Sequence, residues 1–82
     1  MHWPVVLIVV AATKFIAGMV HDESRPEGYQ KPEDCKAFLP VMVEMAREIP
    51  KPDGLGEVIY IPGCIQVPPD RFFEDHIKTK PP

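Results

Sequence analysis

Two cysteines are the side chains of this sequence best suited to a covalent reaction. Cys35 and Cys64 are the only cysteines among 82 residues. They have neither the short paired spacing of a zinc site nor the Cys-x-x-Cys spacing of a redox centre. In an oxidising compartment, a bond between them closes a loop of roughly 30 residues and stabilises the fold by roughly 3.5 kcal/mol on the chain-entropy model. The sequence therefore favours a structural disulfide, with two unlinked buried thiols as the alternative.

The remaining chemistry-bearing residues lack the spacing that catalysis requires. The histidines are scattered along the chain: His2, His21 and His76. Neither His21-Asp22-Glu23 nor Glu74-Asp75-His76 repeats at the one-face helical spacing typical of metal ligation or proton transfer. Adjacent acids such as Glu33-Asp34 point apart and do not flank one substrate. With no Gly-rich phosphate loop, G-x-S-x-G elbow or H-E-x-x-H helix either, we predict a protein that is not an enzyme and needs no metal or cofactor.

Charge and proline divide the chain into an apolar head, residues 1–20, and an acidic tail, residues 21–82. The head contains one charged side chain, Lys14, and one proline, Pro4, whereas all 12 acids and the other prolines lie in the tail. The net charge is −3 and the isoelectric point is near 5.5. A phosphate-backbone binder needs a basic excess, so we expect no nucleic-acid partner.

The head is long enough to cross a membrane as a helix. Residues 3–20 would span roughly 27 Å as a helix, close to the ~30 Å hydrocarbon core of a bilayer. Lys14 would reach an interface by snorkelling or pair with an acid of a neighbouring helix. We therefore predict an N-terminal transmembrane helix. The residues assigned to the membrane are Trp3, Leu7, Ile8, Lys14 and Phe15.

Two other interpretations of the head remain open. In the first, the head is a secretory signal with residues 5–12 as its apolar core and cleavage after Gly18. In the second, residues 4–10 form a buried strand, because their β-branched side chains suit the centre of a soluble sheet.

In the tail, the pattern predicts a short amphipathic helix over residues 40–49. A polar linker, residues 24–31, precedes a helical turn that begins at Pro32 and stops or kinks before Pro40. Pro40 then opens the second helix, which is too short to be stable alone in water. Its apolar face is therefore predicted to dock on a partner. The docking residues on this face are Val41, Met42, Met45, Ala46 and Ile49.

Beyond Pro50, the tail is predicted to be mostly extended. Residues 57–61 have the β-branched and aromatic content of a strand, and Pro62-Gly63 indicates a turn. Residues 64–67 would return as a second strand and complete a small hairpin. Residues 68–82 are predicted to lie extended along another surface, anchored by Phe72, Phe73 and Ile77.

Together these features predict a mainly α fold with extended segments and a non-catalytic role. The layout is similar to that of small single-span accessory subunits of respiratory-chain or ATP synthase complexes. That similarity implies other subunits and the lipid bilayer as partners and the inner mitochondrial membrane as location. The alternative is a secreted one-disulfide ligand or inhibitor, and a third possibility is a compact α+β domain.

Overall fold

The computed structural model describes residues 1–51 and 53–76, which form three strands and two helices. In chain order the elements are β1 (Trp3–Val10), β2 (Ile16–His21), α1 (Pro32–Glu48), β3 (Val58–Ile65) and α2 (Pro69–His76). The strands form one antiparallel sheet in the order β2-β1-β3. The prediction of a mainly α fold is therefore wrong.

The apolar head forms β1 and β2, and the predicted transmembrane helix is wrong. Within the described ranges, no helix combines the length and the apolar character needed to cross a membrane. Branched side chains lose rotamer freedom in a helix and pack well on a pleated surface, which favours a strand for the Val and Ile residues of β1. Since β1 lies between β2 and β3, both of its edges are paired, and most of its side chains are buried. The alternative of a buried strand over residues 4–10 is confirmed.

A tight turn connects the first two strands, and a bulge interrupts β2 shortly after it begins. The Val10 N–H donates to the Phe15 carbonyl at 2.8 Å, and the Lys14 N–H donates to the Val10 carbonyl at 2.8 Å. Lys14 has a left-handed backbone with φ of 62°. The register then changes between Ile8 and Val9, so that Ala17 is an extra residue in β2.

One face of the sheet packs against α1 to form the core. Val6, Met42 and Ala46 are fully buried there. Partly buried apolar side chains surround them: Val20, Phe38, Val43 and Tyr60. Val6 lies opposite Val20 and Pro62 in the two ladders, and residues directly opposite each other share a face of the sheet. The even-numbered residues of β1 therefore face α1.

α1 is one continuous helix, so the prediction that the first turn stops before Pro40, one of the two outcomes expected there, is wrong. Pro32 occupies its first turn, as the sequence indicates. Pro40 lacks an N–H, and its ring crowds the carbonyl of Lys36, which commonly breaks a helix. Cys35 and Met42 are fully buried on either side of Pro40, and Pro40 itself is exposed. Packing therefore holds both halves in one helix, and water can solvate the freed carbonyl.

The predicted turn at Pro62-Gly63 and the predicted hairpin are also wrong. β3 continues through both residues, and its pairing with β1 runs from Trp3 opposite Ile65 to Val10 opposite Val58. A proline is tolerated in an edge strand where its nitrogen faces away from the neighbouring strand. β3 is such an edge.

Residues 69–76 form a helix where an extended chain was predicted, and residues 77–82 of that prediction lie outside the described residues. α2 begins at Pro69, a residue suited to the first helical position, and Asp70 lies in its first turn. The helix carries both predicted anchors Phe72 and Phe73. The third anchor, Ile77, lies outside the described residues.

The connection between β2 and α1 is attached to the sheet at Trp3 and at its neighbour His2. The Trp3 indole N–H donates to the Pro26 carbonyl at 2.9 Å. His2 and Tyr29 exchange two backbone hydrogen bonds, each of 2.7 Å. Gly28 lies against this pair with φ of 77°, and a Cβ there would be 2.8 Å from Trp3 Cε2 and 2.9 Å from the His2 oxygen. Only glycine satisfies both the backbone conformation and the close approach.

We expect Gly28→Ala to lower the free energy of unfolding by about 1–3 kcal/mol, because it adds backbone strain and a clash with Trp3. Urea unfolding followed by the fluorescence of Trp3, the only tryptophan, measures the change. Gly18→Ala is the matched control, since nothing lies within 4 Å of its added Cβ. An equal loss in both variants would contradict the role assigned to Gly28.

Candidate interaction surface

Cys35 and Cys64 form a disulfide that ties α1 to β3, and the predicted structural bond is confirmed. Their Cα atoms are 6.3 Å apart, and they are separated by 29 positions in the sequence. Cys35 is fully buried near the start of α1. The bond therefore fixes the first part of the helix to β3, an edge strand of the described sheet.

The other end of α1 is fixed to the same strand by cations. Lys51 Nζ donates to the carbonyl oxygens of Ala46 and Ile49, each at 2.6 Å. The same ammonium is 5.0 Å from the centre of the Tyr60 ring on β3, and the Arg47 guanidinium carbon is 5.9 Å from it. A cation at a helix C-terminus satisfies orphan carbonyls and interacts favourably with the helix dipole. α1 is thus attached to β3 at both ends.

The side of α1 that faces away from β3 carries an exposed apolar row that ends at Ile49, the residue that caps the helix. We call this row the α1 flank: Val41, Met45 and Ile49. Their side chains are 50%, 45% and 43% exposed. Residues four apart lie one above the other on a helix, so the three form a continuous line. The structure therefore divides the predicted docking face, since Met42 and Ala46 pack inside the protein's own core.

A groove between α1 and β2 continues from the α1 flank, and we call it the α1–β2 groove. Its volume is about 320 Å³. Its lining comprises Ile8, Phe15, Ala17, Ile49, Pro50, Lys51 and Leu55. Phe15 is 65% exposed. Gly18 contributes no side chain on β2, and the space where its Cβ would project is empty within 4 Å.

The residues assigned to a membrane span are split by the sheet. Trp3 and Ile8 are buried and Leu7 is partly buried in β1, whereas Lys14 and Phe15 are exposed in the turn that follows. Their shared assignment to a lipid-facing helix is therefore wrong. Ile8 and Phe15 meet instead at the α1–β2 groove.

The two phenylalanines of the predicted docking set lie apart from the α1 flank. Phe72 is partly buried and Phe73 is exposed on α2. Phe73 lines a second cavity, of about 450 Å³, together with Met19 and His21 of β2. Met19 lies opposite Leu7, so this cavity opens on the face of the sheet that α1 does not cover.

Sequence reasoning missed Leu55 as a surface residue of the groove. It lies in the connector between α1 and β3, between Gly54 and Gly56, which have φ of 92° and 73°. Left-handed glycines on both sides allow the chain to turn sharply at this point. The sequence did carry one indication of this role, since Leu55 is a single apolar residue within a polar connector rich in turn-forming residues.

The chemistry offered by these surfaces is apolar contact. Within residues 1–51 and 53–74, no three His, Cys, Asp or Glu side chains lie together as a metal site. The same part of the chain buries no polar or charged residue. An apolar groove beside an exposed apolar helix row is suited to holding the side chains of another polypeptide.

We expect reduction of the disulfide to lower the free energy of unfolding by roughly 2–4 kcal/mol, because it releases the loop between Cys35 and Cys64. Urea unfolding with and without a reductant measures the difference in the same chain, which keeps both sulfur atoms in place. The Cys35→Ala/Cys64→Ala double variant is the control, and its stability should not respond to the reductant. Equal stability of the oxidised and reduced chain would contradict this prediction.

Compared with protein-family models, curated proteins and solved structures, the chain has no match in any of the three.

Proposed function

We propose that this chain is a non-catalytic binding protein that acts as a ligand or inhibitor of another protein in an oxidising compartment. The disulfide between α1 and β3 is the observation that carries the proposal. Disulfides persist in oxidising compartments and are rare in the cytosol. A domain of this size has a small core, and a covalent link is a common means of stabilising it.

The proposal applies to the chain that retains the apolar head, residues 1–20. Release after Gly18 would remove all of β1, which pairs with both other strands. It would also remove Val6 from the core beneath Met42 and Ala46. The secreted alternative is therefore retained without that cleavage, and the respiratory-chain similarity loses its basis because it depended on a membrane helix.

The α1 flank and the adjoining α1–β2 groove are the proposed binding surface. Glu44 and Glu48 are exposed and follow Val41 and Met45, respectively, at a helical spacing of three. An apolar row bordered by carboxylates complements an apolar segment that carries Lys or Arg beside it. We therefore assign the partner as a protein that presents such a segment.

We expect Val41→Asp and Met45→Asp each to weaken partner binding by about 2 kcal/mol, because each places a charge in the centre of a desolvated contact. The partner is first captured on the full oxidised chain and identified, and calorimetry with the purified pair then measures affinity. Both side chains are about half exposed, so the free energy of unfolding should change little.

Ile61→Asp is the matched control for Met45→Asp. Ile61 is 46% exposed on β3, against 45% for Met45, and lies opposite Leu7 on the face away from α1. Its variant should bind as tightly as the parent chain. An equal loss of affinity in both variants, or none in either, would contradict the assigned surface.

A second measurement tests whether the protein resides in an oxidising compartment. The protein is isolated from its source under acid quenching, treated with an alkylating reagent, and analysed by intact mass. We expect no alkylation at Cys35 or Cys64 until a reductant is added. Alkylation of both thiols in the native protein would place the chain in a reducing compartment and remove the proposal.

A further inference from the structure

Among the described residues, β2 is an edge strand whose one feature that hinders pairing is the bulge at Ala17. In the part of the chain that the structure describes, β2 has a neighbouring strand only on the β1 side. Its outer edge therefore presents a row of backbone N–H and C=O groups that the sheet does not use. Natural edges are commonly protected by proline, by charged side chains, by β-bulges or by a covering segment.

The two edges of the sheet differ in this respect. β3 carries Pro62 in its middle, which removes one donor from that edge. β2 has the sequence Ile-Ala-Gly-Met-Val-His, with no proline, lysine or acid. The edge formed by β2 is therefore the one suited to accept another strand.

The charges that flank β2 indicate the direction and the identity of that strand. Lys14 precedes β2, and Asp22 and Glu23 follow it. When two β2 strands lie antiparallel, Lys14 of each copy comes beside Asp22 and Glu23 of the other. A parallel pair would instead place like charges together, which is unfavourable.

We propose that two copies of this chain associate through β2 about a two-fold axis. The two sheets then join into one six-stranded antiparallel sheet, with strand order β3-β1-β2-β2-β1-β3. Such an interface is isologous, the commonest arrangement among homo-oligomers. This association borders the α1–β2 groove at Gly18, but it does not involve Val41 or Met45 of the α1 flank.

Side-chain positions select a register for the pair. Gly18 lies opposite Ile8 and Val20 lies opposite Val6, so both positions face α1. Pairing Gly18 with Val20 of the second copy keeps residues of the same face opposite each other and places the two Met19 residues at the axis. The empty space at Gly18 then receives Val20 of the second copy.

Sedimentation equilibrium of the full oxidised chain tests the association. We expect a dimer that Gly18→Lys weakens at least about tenfold, because a lysine on each strand brings charge and bulk to the paired edge. Gly63→Lys is the matched control on β3, since nothing lies within 4 Å of an added Cβ at either glycine. The control should dimerise like the parent chain.

A charge exchange tests the antiparallel arrangement. Lys14→Glu and Glu23→Lys should each weaken self-association, because each sets like charges against each other at both ends of β2. An equimolar mixture of the two variants should restore dimers. In the mixed dimer, the new Glu at position 14 of one copy faces the new Lys at position 23 of the other. At the opposite end of the paired strands, the native Glu23 of the first copy faces the native Lys14 of the second. Both ends therefore carry opposite charges. The restored dimers should contain one copy of each variant by native mass spectrometry.

Three results would overturn the proposal: a parent chain that stays monomeric up to its solubility limit, equal effects of Gly18→Lys and Gly63→Lys, or no restoration in the mixture. A chain that stays monomeric and binds an extended segment of another protein at β2 counts as the first of these results and overturns the proposal. Val41→Asp and Met45→Asp should leave self-association unchanged, so this test and that of the binding surface fail separately.

Discussion

The packing of β1 beneath α1 and between the other two strands is the constraint on which the rest of the structure depends. Val6 is fully buried against Met42 and Ala46, and β1 pairs along its length with β3. A domain this small buries little apolar surface, so the loss of β1, the central strand of the described sheet, would remove most of the core. The same residues that give the head its apolar character are therefore used inside the protein.

The attachment of α1 to the sheet is asymmetric, and this asymmetry creates the exposed surfaces. The Cys35–Cys64 bond and the contacts of Lys51 with Ala46, Ile49 and Tyr60 all draw the helix toward β3. A single helix held over β1 and β3 covers β2 incompletely. The α1 flank, the α1–β2 groove and the open edge of β2 all lie on the side that is left uncovered.

Local patterns identified some elements well. Pro32 marked a helix start, the helical spacing of Met42 and Ala46 marked one apolar face, and the two cysteines marked a covalent link. Other signals were correct as local preferences and were overruled by tertiary contacts. Pro40 favours a helix end, yet buried side chains on both sides hold the helix together.

The head illustrates why length and hydropathy were insufficient. A run of apolar residues satisfies its backbone hydrogen bonds internally as a membrane helix or externally as a strand, and the choice depends on whether partner strands are present. For β1 the second partner is β3, whose paired residues lie 48 to 62 positions further along the chain. The β-branched composition favoured a strand, but only the pairing decided it.

By itself, the sequence determined the small size, the acidic balance, the available disulfide and the amphipathic character of α1. These properties follow from residue types and, for the helix, from residue spacings within one or two helical turns. Only the tertiary structure decided that Met42 and Ala46 are core while Val41 and Met45 are surface. The reason is geometric: the apolar face of α1 is wider than the strip of sheet that β1 and β3 place beneath it, and no local spacing records that width.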